Sequence, residues 1–338
     1  MTLILGIETS CDETAAAVVE NGRTVHSSIV ASQIAIHQKF GGVVPEVAAR
    51  AHLQVIDAIV DEALAKAGVS LSAIDGIAIT QGPGLIGALL VGIAYAKGLA
   101  LASGIPLIPV NHVEAHVHGA LLGLTQTTEE LFPCLALVVS GGHSNIYFMK
   151  SPTEFELMAY SIDDACGESF DKVAKLFGLG YPGGPVLERL AREGDPKAIP
   201  MPRMMEQKDK LQFSYSGLKT FMVNLKNKQQ LSEQDVKNAA AGFQEEALGQ
   251  LVRKLETAHH LRSAQCLLVA GGVAANQRFR AMVKERLPRL PAYFPQLDYC
   301  SDNAAMIAAL GYQHFAKDPK DPAFHRLDWD AFSRYQFS

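Results

Sequence analysis

Three side chains in this sequence have the types and spacing to hold a metal ion: His112, His116 and Asp302. The first two frame the segment His112-Val-Glu-Ala-His116, where a helix puts both imidazoles on one face, one turn apart. Imidazole nitrogen is a ligand that suits zinc and iron alike. A carboxylate arriving from Ser301-Asp-Asn-Ala304 completes a two-histidine, one-carboxylate group with positions left open for substrate. The plainer alternative is a pair of histidines that cap or cover a helix, because His at i and i+4 also recurs by chance.

A second kind of chemistry is offered by polar turns after apolar strands, at residues 8–14, 140–144 and 271–276. Small residues at a strand end let backbone N–H groups approach an anion closely, and a helix opening there adds its positive end. Each turn alone also serves as an ordinary tight turn. Together, in two similar halves, they predict a nucleotide lying in an interdomain cleft. The phosphate-loop signature GxxxxGK[ST] does not occur here. Asp12 and Glu13 sit in the first turn, where carboxylates can orient magnesium or place a reacting group; the alternative is turn-forming acids. Asp171 can accept hydrogen bonds from ribose hydroxyls, or simply pair on a helix surface with Lys172 or Lys175.

These groups need a frame. A chain of 338 residues predicts two domains. Residues 3–7 read as a buried strand, 15–19 as its antiparallel return and 23–30 as a third strand. A helix follows over 45–67, then a strand at 77–80, an apolar helix over 85–102, and a strand at 107–110 that runs into the histidine pair. This order implies a parallel sheet with right-handed crossovers. After a polar break at 125–130, a strand at 135–139, a polar turn and a return strand at 145–150 repeat the opening plan. Helices are predicted within 163–176, 183–192, 232–261 and 303–315, a strand at 266–270, and a long loop or small insertion at 195–216. The expected division is 1–117 plus 305–338 for one domain and 118–304 for the other, with an insertion near 195–230.

Composition narrows the function classes. Hydrophobic content of 48% with 19% charged residues is that of a globular protein with ample core. With 30 Lys and Arg against 35 Asp and Glu, the net charge of −5 excludes a self-sufficient nucleic-acid binder. Local basic runs remain: Arg278, Arg280, Lys284, Arg286 and Arg289, and Arg203, Lys208, Lys210, Lys219, Lys226 and Lys228. They can form a phosphate-binding face or an ordinary solvated surface. Five scattered cysteines with no CxxC pair fit buried thiols in a reducing compartment. The apolar start at residues 3–7 is too short and lacks the basic lead of a signal peptide. The stretch 85–102 is broken by Gly87, Gly92, Lys97 and Gly98, which suits a buried helix better than a membrane span. A cytoplasmic protein without a membrane partner is expected. Residues 46–67 and 82–102 carry enough small and apolar residues for a dimer face, or for simple core.

The segments 6–14 (Gly-Ile-Glu-Thr-Ser-Cys-Asp-Glu-Thr), 41–46, 82–84, 112–116, 138–143 (Val-Val-Ser-Gly-Gly-His), 181–185, 213–219 (Phe-Ser-Tyr-Ser-Gly-Leu-Lys), 271–276 and 301–306 together resemble the TsaD family, in its bacterial branch. These are the tRNA N(6)-adenosine threonylcarbamoyltransferases, formerly labelled O-sialoglycoprotein endopeptidases. The resemblance implies an α/β fold of two duplicated domains of the actin-like, sugar-kinase and heat-shock-ATPase type, flanking a nucleotide cleft. It implies transfer of a threonylcarbamoyl group from threonylcarbamoyl-AMP to the exocyclic amine of the adenosine 3′-adjacent to the anticodon, in tRNAs reading codons that start with A. His112, His116 and Asp302 match the family's metal ligands, with Fe2+ or Zn2+ as the ion. Val138, Val139, Ser140, Gly141, Gly142, Asp171, Gly184, Glu188 and Asn276 match substrate- or nucleotide-contacting positions. ATP or ADP with Mg2+ is a further expected occupant. Implied partners are tRNA, a TsaB-like paralogue and a TsaE-like small ATPase. Glu13 or Asp12 is the candidate group for positioning or deprotonating the attacking amine.

Two rival readings differ in class. A metallopeptidase would need Glu beside the first histidine, as in HExxH, whereas Glu114 lies two residues from each. A nucleotide-dependent scaffold of the same fold would have no use for an open metal site.

Overall fold

Leu3, Ile4, Leu5 and Ile7 are apolar without interruption because their strand is covered on both faces. The strand, β1 (Leu3–Glu8), is central in a sheet with β2 (Glu13–Glu20), β3 (Thr24–Ser32), β4 (Gly76–Gly82) and β5 (Leu107–Asn111). Its order is β3-β2-β1-β4-β5, with β1, β2 and β3 antiparallel and β4 and β5 parallel to β1. The computed structural model describes residues 1–207, 210–228 and 230–334. They divide into one unit of Met1–Gln126 with Pro295–Ser338, and a second of Thr127–Phe294.

In the first unit, alternate residues of each strand face opposite layers. Leu3, Leu5, Ile7, Ile77 and Ile79 pack in one core with Ile56, Ile59 and Val60 of α2 (Pro45–Ala67) and Leu89 and Ile93 of α3 (Ile86–Ser103). The short α1 (Ile34–His37) precedes them. Pro45 stands in the first turn of α2 and Gly68 closes it at φ 69°, the expected helix punctuation. Ile4, Ala15, Ala17 and Ala78 face the other way, onto Ala304, Ala305 and Ala308 of α11 (Ala304–Lys317). Gly6 permits that approach, since a Cβ there would stand 2.2 Å from the Ala304 carbonyl oxygen. The helix Ile86–Ser103 is long and apolar enough to cross a membrane by length and composition, yet Leu89, Ile93, Ala96 and Ala100 lie in this core.

The second unit repeats the plan. After α5 (Thr128–Leu131), the antiparallel strands β6 (Cys134–Val139), β7 (Ser144–Ser151) and β8 (Glu154–Ser161) are followed by α6 (Cys166–Phe177), α7 (Gly183–Ala191), β9 (Gln212–Phe213), α8 (Ser216–Lys228) and α9 (Glu233–Leu261). The chain closes this unit with β10 (Leu267–Ala270), α10 (Gln277–Arg286) and β11 (Ala292–Tyr293). The sheet order β11-β10-β6-β7-β8-β9, read from β8 to β11, reproduces that of the first unit, directions included. Strands β9 and β11, each two residues long, are too short for a sequence period to register.

Candidate metal centre

Strand β5 runs straight into α4 (His112–Gly119), and Asn111 makes the join. Its side chain accepts from the backbone N–H of Val113 at 2.9 Å and of Glu114 at 3.3 Å, so the helix starts at His112 and both histidines fall on one face. Asp302 stands just ahead of α11, where Asn303 caps the helix by accepting from Met306 N–H at 3.0 Å. Because α11 and α4 belong to the same unit, the carboxylate meets the imidazoles. Asp302 Oδ1 lies 3.3 Å from His116 Nε2 and 3.6 Å from His112 Nε2. The two rings are perpendicular with centroids 4.7 Å apart.

These residues fit a metal ion. Both ring nitrogens of His116 are buried and make no hydrogen bond, an expensive arrangement for a polar ring unless a ligand takes one of them. One donor atom from each of His112, His116 and Asp302 falls within 4.8 Å of the others. Ligands about 2.1 Å from a common ion at a tetrahedral angle stand roughly 3.4 Å apart, close to the separations here.

Behind the triad lies a buried acid that the sequence left as a turn residue. Glu8, fully buried at the end of β1, accepts from His112 Nδ1 at 3.0 Å, from Thr80 Oγ1 at 2.5 Å and from Ser10 N–H. Ser10 Oγ is also 3.2 Å from His112 Nδ1. Burial opposes charge on His112, but Glu8 and Asp302 outweigh it and push its pKa up to about 9. Burial works against the Glu8 carboxylate too, and the neighbouring His112 reverses this, holding it below the ordinary carboxylate range. Nothing in a strand-end glutamate marks it out, because its partners come from β4 and α4.

The carboxylates of the first turn share this neighbourhood. Asp12 is buried, and Glu13 accepts from Ser32 Oγ at 3.3 Å. Burial, then the charges of Asp302 and Asp12, push the Glu13 carboxyl up to about 9, so it holds its proton at neutral pH while no cation is present.

The remaining candidate residues lie in the second unit. Val138 and Val139 are buried at the end of β6, and the Ser140 turn closes with Ser140 N–H donating to His143 O at 2.9 Å. Gly271 and Gly167 press against this turn: a Cβ at Gly271 would meet Val139 O at 2.4 Å, and one at Gly167 would meet Ser140 O at 2.6 Å. Two of the three polar turns therefore pack together, through glycines. Asp171 Oδ1 accepts from Gly183 N–H at 2.7 Å at the start of α7, beside Gly184. Glu188 Oε1 accepts from Gln277 N–H at 3.0 Å, and Asn276 caps α10 through Phe279 N–H while donating to Gln244 Oε1 at 2.9 Å. Lys172 pairs with Asp164 at 2.6 Å and with Glu168 at 2.9 Å. At Gly141, Gly142, Gly184 and Gly272 no atom would crowd an added Cβ, which leaves the backbone open at each.

Part of the basic runs is paired inside the unit. Arg278 pairs with Glu245 and Glu285, Arg286 with Glu256, Lys219 with Asp164, and Arg203 with Glu206. Lys208 lies outside the described residues.

Twin βββ-helix-strand units, one carrying a two-histidine, one-carboxylate group able to hold a metal ion, define an α/β protein of the actin-like, sugar-kinase class. Solved structures agree on the fold. The chain matches HypF of T. kodakarensis (TM-score 0.61, 14% identity, 94% of this chain and 48% of that one) and component A of the (R)-2-hydroxyglutaryl-CoA dehydratase of Acidaminococcus fermentans (TM-score 0.55, 14%, 94% and 100%). The family model described as TsaD, tRNA N6-adenosine threonylcarbamoyltransferase, matches residues 24–309. Proteins of that name from Moorella thermoacetica and Geobacillus kaustophilus are 47% and 49% identical, over 94% and 91% of this chain and 93% and 90% of theirs. The chain belongs to the TsaD family, and its activity is transfer of a threonylcarbamoyl group to N6 of adenosine in tRNA.

Proposed function

We propose that this transfer takes place at His112, His116 and Asp302, with Fe2+ (or else Zn2+) held by the three side chains. The observation that carries the reading is His116, buried with neither ring nitrogen hydrogen-bonded and with Nε2 3.3 Å from the Asp302 carboxylate. A divalent ion there supplies Lewis acidity toward a carbonyl or anchors an amino-acid moiety through its open positions. The donor is threonylcarbamoyl-AMP, and the acceptor is the adenosine 3′-adjacent to the anticodon. The amine N6 forms a bond to the carbamoyl carbon, the carbon–oxygen bond to phosphate breaks, and AMP leaves. N6 gives up one proton, for which Glu13, with Asp12 beside it, is assigned as the acceptor. Glu13 takes this role only in its ionised form, which positive charge near Asp302 promotes.

The Ser140-Gly141-Gly142 turn, with Val138 and Val139 behind it, is assigned to the adenylate phosphate, where open backbone favours an anion. Asp171, Gly184, Glu188 and Asn276 are assigned to the nucleoside around it, and ATP or ADP with Mg2+ is a further occupant of the same site. A net charge of −5 and arginines already paired leave phosphate binding incomplete, which supports partner chains: a TsaB-like paralogue and a TsaE-like ATPase, in the cytoplasm. Exposed Leu53, Leu90 and Leu101 on α2 and α3 suit such a paralogue. The test is His116→Ala, with threonylcarbamoyladenosine in tRNA measured by mass spectrometry. Loss of at least about a hundredfold in rate is expected; modification at the wild-type rate would overturn the reading.

A further inference from the structure

We propose that Glu8 is the positioning residue of the metal centre, fixing the tautomer and ring orientation of His112. The inference rests on the metal reading above and concerns a residue outside the ligand set.

The argument is one of donors and acceptors. An ionised carboxylate only accepts, so the contact between Glu8 Oε2 and His112 Nδ1 at 3.0 Å places a proton on Nδ1. In the neutral ring, the lone pair is then on Nε2, the nitrogen that stands 3.6 Å from Asp302 Oδ1. Glu8 cannot easily turn away. Thr80 Oγ1 donates to Oε2 at 2.5 Å, Ser10 N–H donates to Oε1, and the side chain is fully buried. His116 has no such support, since neither of its ring nitrogens makes a hydrogen bond. The two histidines are therefore held differently, one pre-oriented by a hydrogen bond from behind and one with no hydrogen bond to either ring nitrogen. A hydrogen-bonded carboxylate behind a ligand histidine both orients the ring and raises its basicity, and losing it costs roughly 10- to 100-fold in metal affinity.

An unusual ordering of variants follows. In Glu8→Gln, the backbone N–H of Ser10 demands an oxygen at the Oε1 position, so the amide NH2 must take the Oε2 position. Thr80 can rotate its hydroxyl to accept from it. His112 Nδ1 can accept only by moving its proton to Nε2, which blocks the metal-facing nitrogen. Glu8→Ala removes the acceptor but imposes no wrong tautomer, because Ser10 Oγ remains 3.2 Å from Nδ1. The near-isosteric change is thus the more harmful one for metal binding, the reverse of what a space-filling role predicts.

The experiment is Zn2+ titration of purified full-length protein against a chromophoric chelator, for wild type, Glu8→Gln, Glu8→Ala and His116→Ala, with thermal unfolding in chelator reporting fold integrity. The expected result is Glu8→Gln binding roughly 10- to 100-fold more weakly than wild type and more weakly than Glu8→Ala. Wild-type affinity in Glu8→Gln, or weaker binding by Glu8→Ala than by Glu8→Gln, overturns the proposal. Should Glu8→Gln fail to fold, wild-type affinity in Glu8→Ala overturns it and a several-fold loss upholds it. Failure of the metal reading itself has a different signature, wild-type affinity in His116→Ala.

Discussion

Asp302 Oδ1 and His116 Nε2 stand 3.3 Å apart with the histidine buried, although one residue precedes α11 and the other lies within α4. The contact exists because α11 packs on β1 and beside α4, delivering its N-terminal carboxylate to the histidine face.

Asp302→Asn keeps the shape and removes the charge. Metal content of the purified protein is expected to fall more than about tenfold and the transfer rate roughly a hundredfold. Stability in chelator should change little, because Asp302 meets the positive charge of His112 as well as the like charge of Glu8. A fall in melting temperature in chelator, with activity retained, would place Asp302 in the scaffold instead of the site.

Gly6→Ala tests how the carboxylate is delivered. The new Cβ meets backbone of α11, Ala304 O at 2.2 Å and Ala308 N at 2.8 Å, which cannot swing aside as a side chain would. A loss of about 1–3 kcal/mol is expected together with weaker metal binding, since α11 carries Asp302 with it. Gly98→Ala is the contrast, on an exposed stretch of α3 with no atom within 4 Å of the new methyl. It should gain about 0.5–1 kcal/mol and leave metal binding alone. Denaturant midpoints and Zn2+ titration of both variants give the comparison; equal stability of the two would contradict the packing argument.

Asp163 supplies a pH-dependent term. It accepts from Ser214 Oγ at 2.5 Å, Ser216 Oγ at 2.7 Å and Tyr215 N–H at 2.8 Å, tying the segment before α8 to that before α6. Burial raises its pKa somewhat, but these donors prevail and hold it below the ordinary value. A carboxyl with a depressed folded pKa stabilises fully above its unfolded value of about 3.9, and this is lost as pH falls through the folded value. Asp163→Ala should therefore melt roughly 2–4 °C lower than wild type between pH 8 and pH 5. The gap should close only in more acid solution. A gap that already narrows between pH 7 and pH 6 would assign the effect to another group.

Legibility varied by element for physical reasons. The histidine pair could be read because helical periodicity is local, and Asn111 before it is a strong cap. The twin strand plans were legible as apolar runs broken by polar turns, and the sheet orders repeat as that reading implies. Strand β8 was missed, its Glu154 and Glu156 giving a weak apolar signal. Asp302 could be offered as a third ligand by residue type, and the family resemblance supported the choice, since nothing local distinguishes it from any acid before a helix. Glu8 reads from the sequence only as the first residue of a polar turn.

By itself, then, the sequence determined the elements, their order and the presence of two nitrogen ligands one turn apart, all properties of neighbouring residues. Only the tertiary structure decided that Glu8, Thr80, His112 and Asp302 form one connected group. Their contacts depend on a glycine that lets α11 reach β1 and on a parallel strand pairing, distances that no local pattern encodes.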